Sequence, residues 1–411
     1  MNDPTTAAYA DRLDAADSLS SYRDRFVGSE SDLVYFDGNS LGRPLRVTAD
    51  RMGTFVAEEW GGRLIRAWDE QWMDLPLGLG DEIAHAMLGA APGQTVVADA
   101  VTTLLYKLVR GAVDLQRRRD PARTEIVIDR DNFPTDRYVV EGIAAECGLT
   151  VRWVDVALDS GIDADQLAGV VGPETSLVLF SHVAYRSAHL ADARAVTRLA
   201  HEAGALVLWD LCHSVGAVPV ELDAWEVDLA VGCTYKYLNG GPGSPGFAYV
   251  AARHQDELAQ PIHGWLGNQD PFLMGPEFRP AKGMRRFISS SPSILAMQPV
   301  RDMVALVADA GIDAIRAKSL ALTSYALELQ DALLAPLGVV VATPREPHRR
   351  GGHVTVSHPA MREVTARLWE QDVIPDYRDP GGLRIGLSPL STSFDEVRRG
   401  MVAVRDVLAG L

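Results

Sequence analysis

Apolar residues recur along this chain in two rhythms. In DEIAHAMLGA (81–90) and TTLLYKLVRGAVDL (102–115) they return every three or four positions, the spacing that gives a helix one buried face. From residue 125 onward, short and nearly unbroken apolar runs take over: EIVIDR, TVRWVDV, SLVLFSHV, ALVLWDLCHS, DLAVGCTYK and GFAYVA. Such β-branched runs, with little polar alternation, mark strands buried on both faces. Helical stretches separate several of them. One is FPTDRYVVEGIAAECG, with Pro134 in its first turn and a glycine at its end, and another is ADARAVTRLAHEAG (191–204). Strands alternating with helices predict a largely parallel sheet covered on both faces.

After residue 292 the pattern changes. Two long helical stretches (292–310 and 311–335) lead to GVVVATP, GHVTVSH, a helix near 361–370, LRIGLS and a final helix. This order predicts an α/β fold in two parts: a large domain over 46–291, and a smaller α+β domain from 1–45 and 292–411. The first 45 residues are assigned to the smaller part because they precede the α/β region and hold little strand pattern.

Composition narrows the function classes. Among 411 residues, 39 Lys and Arg stand against 55 Asp and Glu, a formal charge of -16. That field repels nucleic acid and anionic membrane, and no basic stripe offsets it. Cys147, Cys212 and Cys233 lie far apart without C-x-x-C pairing, so neither a disulfide framework nor a zinc site is signalled. Cys212 and Cys233, on apolar stretches, read as buried small hydrophobes. The acidic N-terminus has no apolar signal-peptide core, and no apolar run approaches the roughly 20 residues of a membrane span. The expectation is a cytoplasmic protein.

Ligands of open parallel sheets bind beyond the carboxyl ends of the strands. Asp210 and His213 follow ALVLW, and Thr234, Tyr235, Lys236 and Tyr237 follow DLAVGC. Asn132, Phe133, Pro134, Thr135 and Asp136 follow EIVID, and Ser181 and His182 follow SLVLF. No G-x-G-x-x-G follows a first strand, and GGPGSPG lacks the Lys-Ser/Thr of a nucleotide-binding loop. Pyridoxal phosphate (PLP) fits better. It needs a lysine for a Schiff base, a carboxylate at the pyridine nitrogen, an aromatic or imidazole face, and donors for its phosphate. Lys236, Asp210 and His213 are of those kinds. Singly, each has an ordinary explanation: a helix cap, a hydrogen-bonded histidine, a surface charge. Asp-x-x-His, a strand, Tyr-Lys-Tyr and a glycine-rich tail together are much harder to obtain by chance.

With those motifs the chain resembles the kynureninase family, fold-type I PLP enzymes, along nearly its whole length. The resemblance is carried by YFDGNSLGRP (35–44), WGGRLIRAWDEQWMDLP (60–76), NFPTDRY (132–138), residues 209–247, HGWLG (263–267), PHRRGGHV (347–354) and LRIGLSPL (383–390). Cysteine desulfurases are similar in fold but usually carry histidine immediately before the lysine, where this chain has Tyr235. The resemblance implies that Lys236 holds the cofactor and moves the substrate proton, that Asp210 pairs with the pyridine nitrogen, and that Phe133 stacks on the ring. Asp136, His213 and Ser181 would line the cofactor site. Val101, Thr102 and Tyr235 would meet the phosphate, Tyr235 also serving as an acid–base group. Trp265 and Ser291 match positions that reach the cofactor from the second subunit of a homodimer with shared sites. Arg384 matches the arginine that grips the substrate α-carboxylate, and Ser291 and Trp72 would border the substrate, Trp72 having core packing as its ordinary explanation.

The implied reaction is hydrolysis of L-kynurenine, or its 3-hydroxy form, to the anthranilate and L-alanine in tryptophan catabolism. A related lyase or aminotransferase on a kynurenine-like amino acid is the competing reading. Leu104, Ala184, Ala188 and Ser291 depart from the residues common in the family, which leaves the substrate variant open.

Overall fold

The computed structural model describes residues 3–411. The apolar runs form a seven-stranded sheet: β1 (Thr95–Ala98), β2 (Glu125–Asp129), β3 (Thr150–Val154), β4 (Thr175–Ser181), β5 (Leu206–Asp210), β6 (Leu229–Cys233) and β7 (Gly246–Val250). Their spatial order is β1-β7-β6-β5-β4-β2-β3. The pairs from β6 across to β3 are parallel, whereas β7 runs antiparallel to both β6 and β1. The parallel pattern therefore stops at β6. Periodicity does not encode strand direction, and the link from β6 to β7 holds no helix, so the chain turns straight back beside the strand it has left. β1 is a further difference from the sequence reading; its four residues are too short a run to stand out.

Each central strand sends alternate residues to opposite faces. Val127, Val178, Val207 and Ala230 pack under helices Leu75–Ile83, Ala193–Glu202 and Ile294–Ala310. Ile128, Leu179, Leu208 and Val231 pack under Val101–Arg119 and Pro134–Cys147. Both faces are thus covered, which is why these strands carry no polar alternation.

The smaller lobe has a four-stranded antiparallel sheet, β8 (Val340–Val341), β9 (His353–Ser357), β10 (Asp376–Arg378) and β11 (Gly382–Gly386), in the order β10-β11-β9-β8. Its core joins Val354, Val356, Leu383 and Ile385 to helices Ile312–Leu329, Met361–Trp369 and Phe394–Ala409. The N-terminal segment is shared between the lobes. Val34 and Tyr35 pair with Val373 and Ile374, while Leu19, Phe26 and Leu45 enter the large core. Helix Ile294–Ala310 also belongs to the large core, through Met297, Val300, Val304 and Val307. The chain crosses over within Ile312–Leu329: Ile315 packs with the large core, Leu322 and Tyr325 with the small. An apolar face marks a helix without naming the lobe it covers. Among the described residues, no helix is long and apolar enough to cross a membrane.

Candidate active site

Parallel strands β4 and β5 end side by side, with Ser181 in register with Asp210. Ser181 Oγ lies 3.0 Å from Asn132 Oδ1 and 3.3 Å from Asp210 Oδ2, and Asp210 Oδ1 accepts the Cys212 N–H at 2.8 Å. The carboxylate is therefore aimed by its own turn and by a neighbouring strand. Lys236, three residues beyond β6, is only 8% exposed. Its Nζ sits 3.2 Å from His213 Nε2 and 5.6 Å from the centre of the Phe133 ring. Burial and the cations Lys236 and Arg384 hold His213 well below the usual imidazole range, so its neutral ring can accept from the amine.

Pro134 and Asp136 occupy the first turn of helix Pro134–Cys147, which turns the Asp136 side chain inward. Burial, reinforced by the Asp210 charge, raises Asp136 well above the usual carboxyl range. Asp136 Oδ2 and Asn132 Nδ2 are buried without a hydrogen-bond partner in the protein. Such atoms ask for a ligand or water. A carboxylate in Asp210, an aromatic face in Phe133, a lysine amine and two unpartnered polar atoms fit a pyridoxal ring. For its phosphate, helix Val101–Arg119 presents its N-terminus with Thr102 exposed in the first turn. A Cβ on Gly246, the register partner of Cys233, would stand 3.1 Å from Val101, so this helix start adjoins the end of β6. Tyr235 is half-buried; burial and Cys233 raise its hydroxyl pKa, so at neutral pH it remains a donor.

Two segments close over the lysine turn. The Gly42 N–H donates to the Tyr235 carbonyl at 2.8 Å, and Asn239 Nδ2 donates to the Arg43 carbonyl at 2.6 Å. A Cβ on Gly42 would overlap the Lys236 carbonyl oxygen and the Asn239 side chain. From the small lobe, β11 brings in Arg384, which is 1% exposed. Its Nε donates to Asp376 Oδ2 at 2.6 Å, Nη1 to the Tyr185 carbonyl at 2.8 Å and Nη2 to Ser40 Oγ at 2.9 Å. β9 brings in His353, whose ring centre lies 5.8 Å from that of His213.

One chain thus brings together Lys236, Asp210, His213, Phe133, Asp136 and Ser181, with Tyr235 and Arg384 on the borders. Trp72, Trp265 and Ser291 make no hydrogen bond or ring contact with that group. Trp72 is buried against Phe55 and Trp68, ring centres 5.8 and 5.5 Å away. Trp265 packs edge-on to Phe272 at 5.9 Å, and Ser291 is exposed. Asn132, Tyr185, Ser40, Asp376 and His353 are also at the site, though the sequence assigns them no role there. Asn132 and Ser40 lie in quoted motifs, NFPTDRY and YFDGNSLGRP, and so does His353, in PHRRGGHV. Nothing local marks Tyr185 or Asp376.

Comparison with known proteins bears on this arrangement. Residues 315–404 match the family model described as the kynureninase C-terminal domain, and residues 132–221 match the DegT/DnrJ/EryC1/StrS aminotransferase family. The chain is 40% identical over 399 residues to a protein named kynureninase from Burkholderia pseudomallei (strain 1106a), covering 96% of this chain and 94% of that protein. It is 40% identical over 400 residues to the kynureninase of Pseudomonas fluorescens, with the same coverage. Among solved structures, a C-DES mutant with glycine covalently linked to its PLP cofactor aligns with a TM-score of 0.80 at 20% identity, over 93% of this chain and 99% of that one. An apo cysteine desulfurase from Thermococcus onnurineus NA1 aligns with a TM-score of 0.80 at 16% identity, over 95% and 98%. These structural likenesses bear on the fold, which is that of the fold-type I PLP enzymes.

Proposed function

Since the chain belongs to the kynureninase family, we propose a division of labour among its residues in the hydrolysis of L-kynurenine to anthranilate and L-alanine, with pyridoxal phosphate as cofactor. Lys236 binds the cofactor and moves the substrate α-proton. Asp210 holds the pyridine nitrogen protonated, and Phe133 covers the ring. Asp136 and Asn132 hydrogen-bond the cofactor's edge, and Tyr235 and Thr102 hold the phosphate. Arg384 binds the α-carboxylate through its planar fork. When bound, the cofactor draws electrons from the α-carbon into its ring. Water then adds to the carbonyl carbon beside the substrate's aromatic ring, and its oxygen stays in the carboxylate of anthranilate. The bond from that carbon to the β-carbon breaks, and the β-carbon gains a proton to become the methyl group of alanine.

One arrangement carries this reading: the Lys236 amine 3.2 Å from a neutral His213, with Asp210 on the adjoining strand end. We further propose a homodimer in which Trp265 and Ser291 complete the partner's site, acting in the cytoplasm and accepting 3-hydroxykynurenine as well. Phe272, which packs on Trp265, and Leu273 and Met274, next to it in the chain, are all exposed and support a covering second copy. The test is anthranilate fluorescence from the cofactor-loaded protein supplied with L-kynurenine. Lys236→Ala lowers that rate at least about 10³-fold while the fold is retained. A parent protein that releases no anthranilate overturns the substrate, and an active Lys236→Ala overturns the role of the lysine.

A further inference from the structure

Beneath the lysine turn lies a second group of polar side chains that none of these roles uses. Asn39 Oδ1 and Nδ2, His353 Nδ1 and Nε2, Tyr237 Oη, Ser388 Oγ and Asp37 Oδ1 are all buried without a hydrogen-bond partner in the protein. Glycines hold them together. A Cβ on Gly38 would overlap Ser388 Oγ, one on Gly386 would overlap Asn39 Oδ1, and one on Gly352 would stand 2.8 Å from Tyr237 Oη. Gly386 is in turn the register partner of His353, and Asp37 bridges to Gly386. The backbones of Arg186 and Tyr185 face His353 without reaching hydrogen-bond geometry.

A buried donor or acceptor left unmet destabilises a protein by about 1–3 kcal/mol. Seven in one place exceed what a stable fold tolerates, and buried sites of this polarity hold ordered water making about three hydrogen bonds per molecule. Burial and the neighbouring Arg384 keep His353 neutral, so it offers one donor and one acceptor. His213, the contact of the Lys236 amine, is the next ring along.

We propose that Asp37, Asn39, Tyr237, His353 and Ser388 enclose a site for ordered water, and that water held between His353 and His213 fixes the imidazole on which the Lys236 amine rests. His353 is then a positioning residue that acts through His213. The inference rests on the reading that Lys236 moves the α-proton.

Two measurements test it in the cofactor-loaded protein. A high-resolution crystal structure shows ordered water hydrogen-bonded to His353 and Tyr237; a cluster without water there overturns the site. Exchange of the L-alanine α-hydrogen with deuterated solvent, followed by NMR, reports the positioning without any step on the aromatic ring. His353→Leu slows that exchange at least about tenfold while cofactor content and the KM for L-kynurenine stay within about threefold, and His353→Gln, which keeps a donor and an acceptor, recovers most of it. Tyr237→Phe, which removes one oxygen, gives a smaller loss of the same kind and serves should the leucine variant fail to fold. Exchange within about threefold of the parent in both variants overturns the role, as does glutamine performing no better than leucine. Failure of the substrate assignment is distinct: the parent then releases no anthranilate, whatever its alanine exchange.

Discussion

Burial raises the pKa of Asp129, and through this group it couples the stability of the fold to pH. Asp129 closes β2, and burial together with the Asp131 charge raises its pKa from near 3.8 to about 7. The folded protein therefore holds this proton at pH values where the unfolded chain has lost it. The stability linked to it is present in full below about pH 4 and is lost as pH rises through about 7. The displacement corresponds to roughly 4 kcal/mol. Asp129→Asn removes the linkage, so thermal unfolding measured from pH 4 to pH 8 should show a flatter dependence than the parent and a higher midpoint at pH 8. An unchanged slope would mean that Asp129 ionises freely in the fold. At this scale the sequence was legible where chemistry and position coincide: Lys236, Asp210 and His213, each ordinary alone, form an informative combination at the ends of neighbouring strands. Asn132, Asp37 and His353 are ordinary polar residues whose meaning lies in being buried without partners, which no periodicity carries. Ala188 is held at φ 61°, a left-handed conformation that side chains disfavour.

The element that makes the site is the β6–β7 link, and its geometry depends on a loop some 200 residues earlier in the chain. Gly42 donates to the Tyr235 carbonyl, and its Cα faces the Lys236 carbonyl too closely for any side chain. That neighbour is backbone and cannot swing aside. Gly42→Ala must push the YFDGNSLGRP loop away from the lysine turn, moving Ser40 away from Arg384 and the lysine away from His213. Misplacement on the scale of 1 Å lowers rates about 10²-fold. The expected outcome is a loss of that order in kcat/KM, with the protein still folded by thermal melt; a variant within about threefold of the parent would show that the loop yields without disturbing the lysine. The glycines in GGPGSPG have a different part. Gly241 and Gly243 adopt φ of 81° and 78° with open space around them, so they turn the chain back into β7 and make no close approach. The sequence showed that this link bends. It did not show that β7 returns antiparallel, because strand direction depends on the length and content of the connection.

At the scale of the molecule, the site is assembled from parts that the chain order keeps apart. The large lobe supplies Lys236, Asp210 and Phe133, the small lobe supplies Arg384 and His353, and the N-terminal segment supplies Ser40 as it passes between them. Such a site forms only when both lobes are packed together, and helix Ile312–Leu329, with residues in both cores, fixes that packing. Trp265 and Ser291 remain outside the group within one chain, and Trp265 packs against the exposed Phe272. If they serve the neighbouring subunit, two damaged chains can repair each other. In a dimer of a Lys236→Ala chain with a Trp265→Ala chain, one site receives the intact lysine from one subunit and the intact tryptophan from the other. The second site carries both lesions. Random pairing of equal amounts makes half the dimers mixed, so co-expression should restore about a quarter of the parent activity from two nearly inactive proteins. Ser291→Ala in place of Trp265→Ala should behave likewise wherever its own loss is large enough to measure. Were Trp265 to act within its own chain, every site in the mixed dimer would keep one lesion, and the activity of the mixture would stay at the average of the two variants.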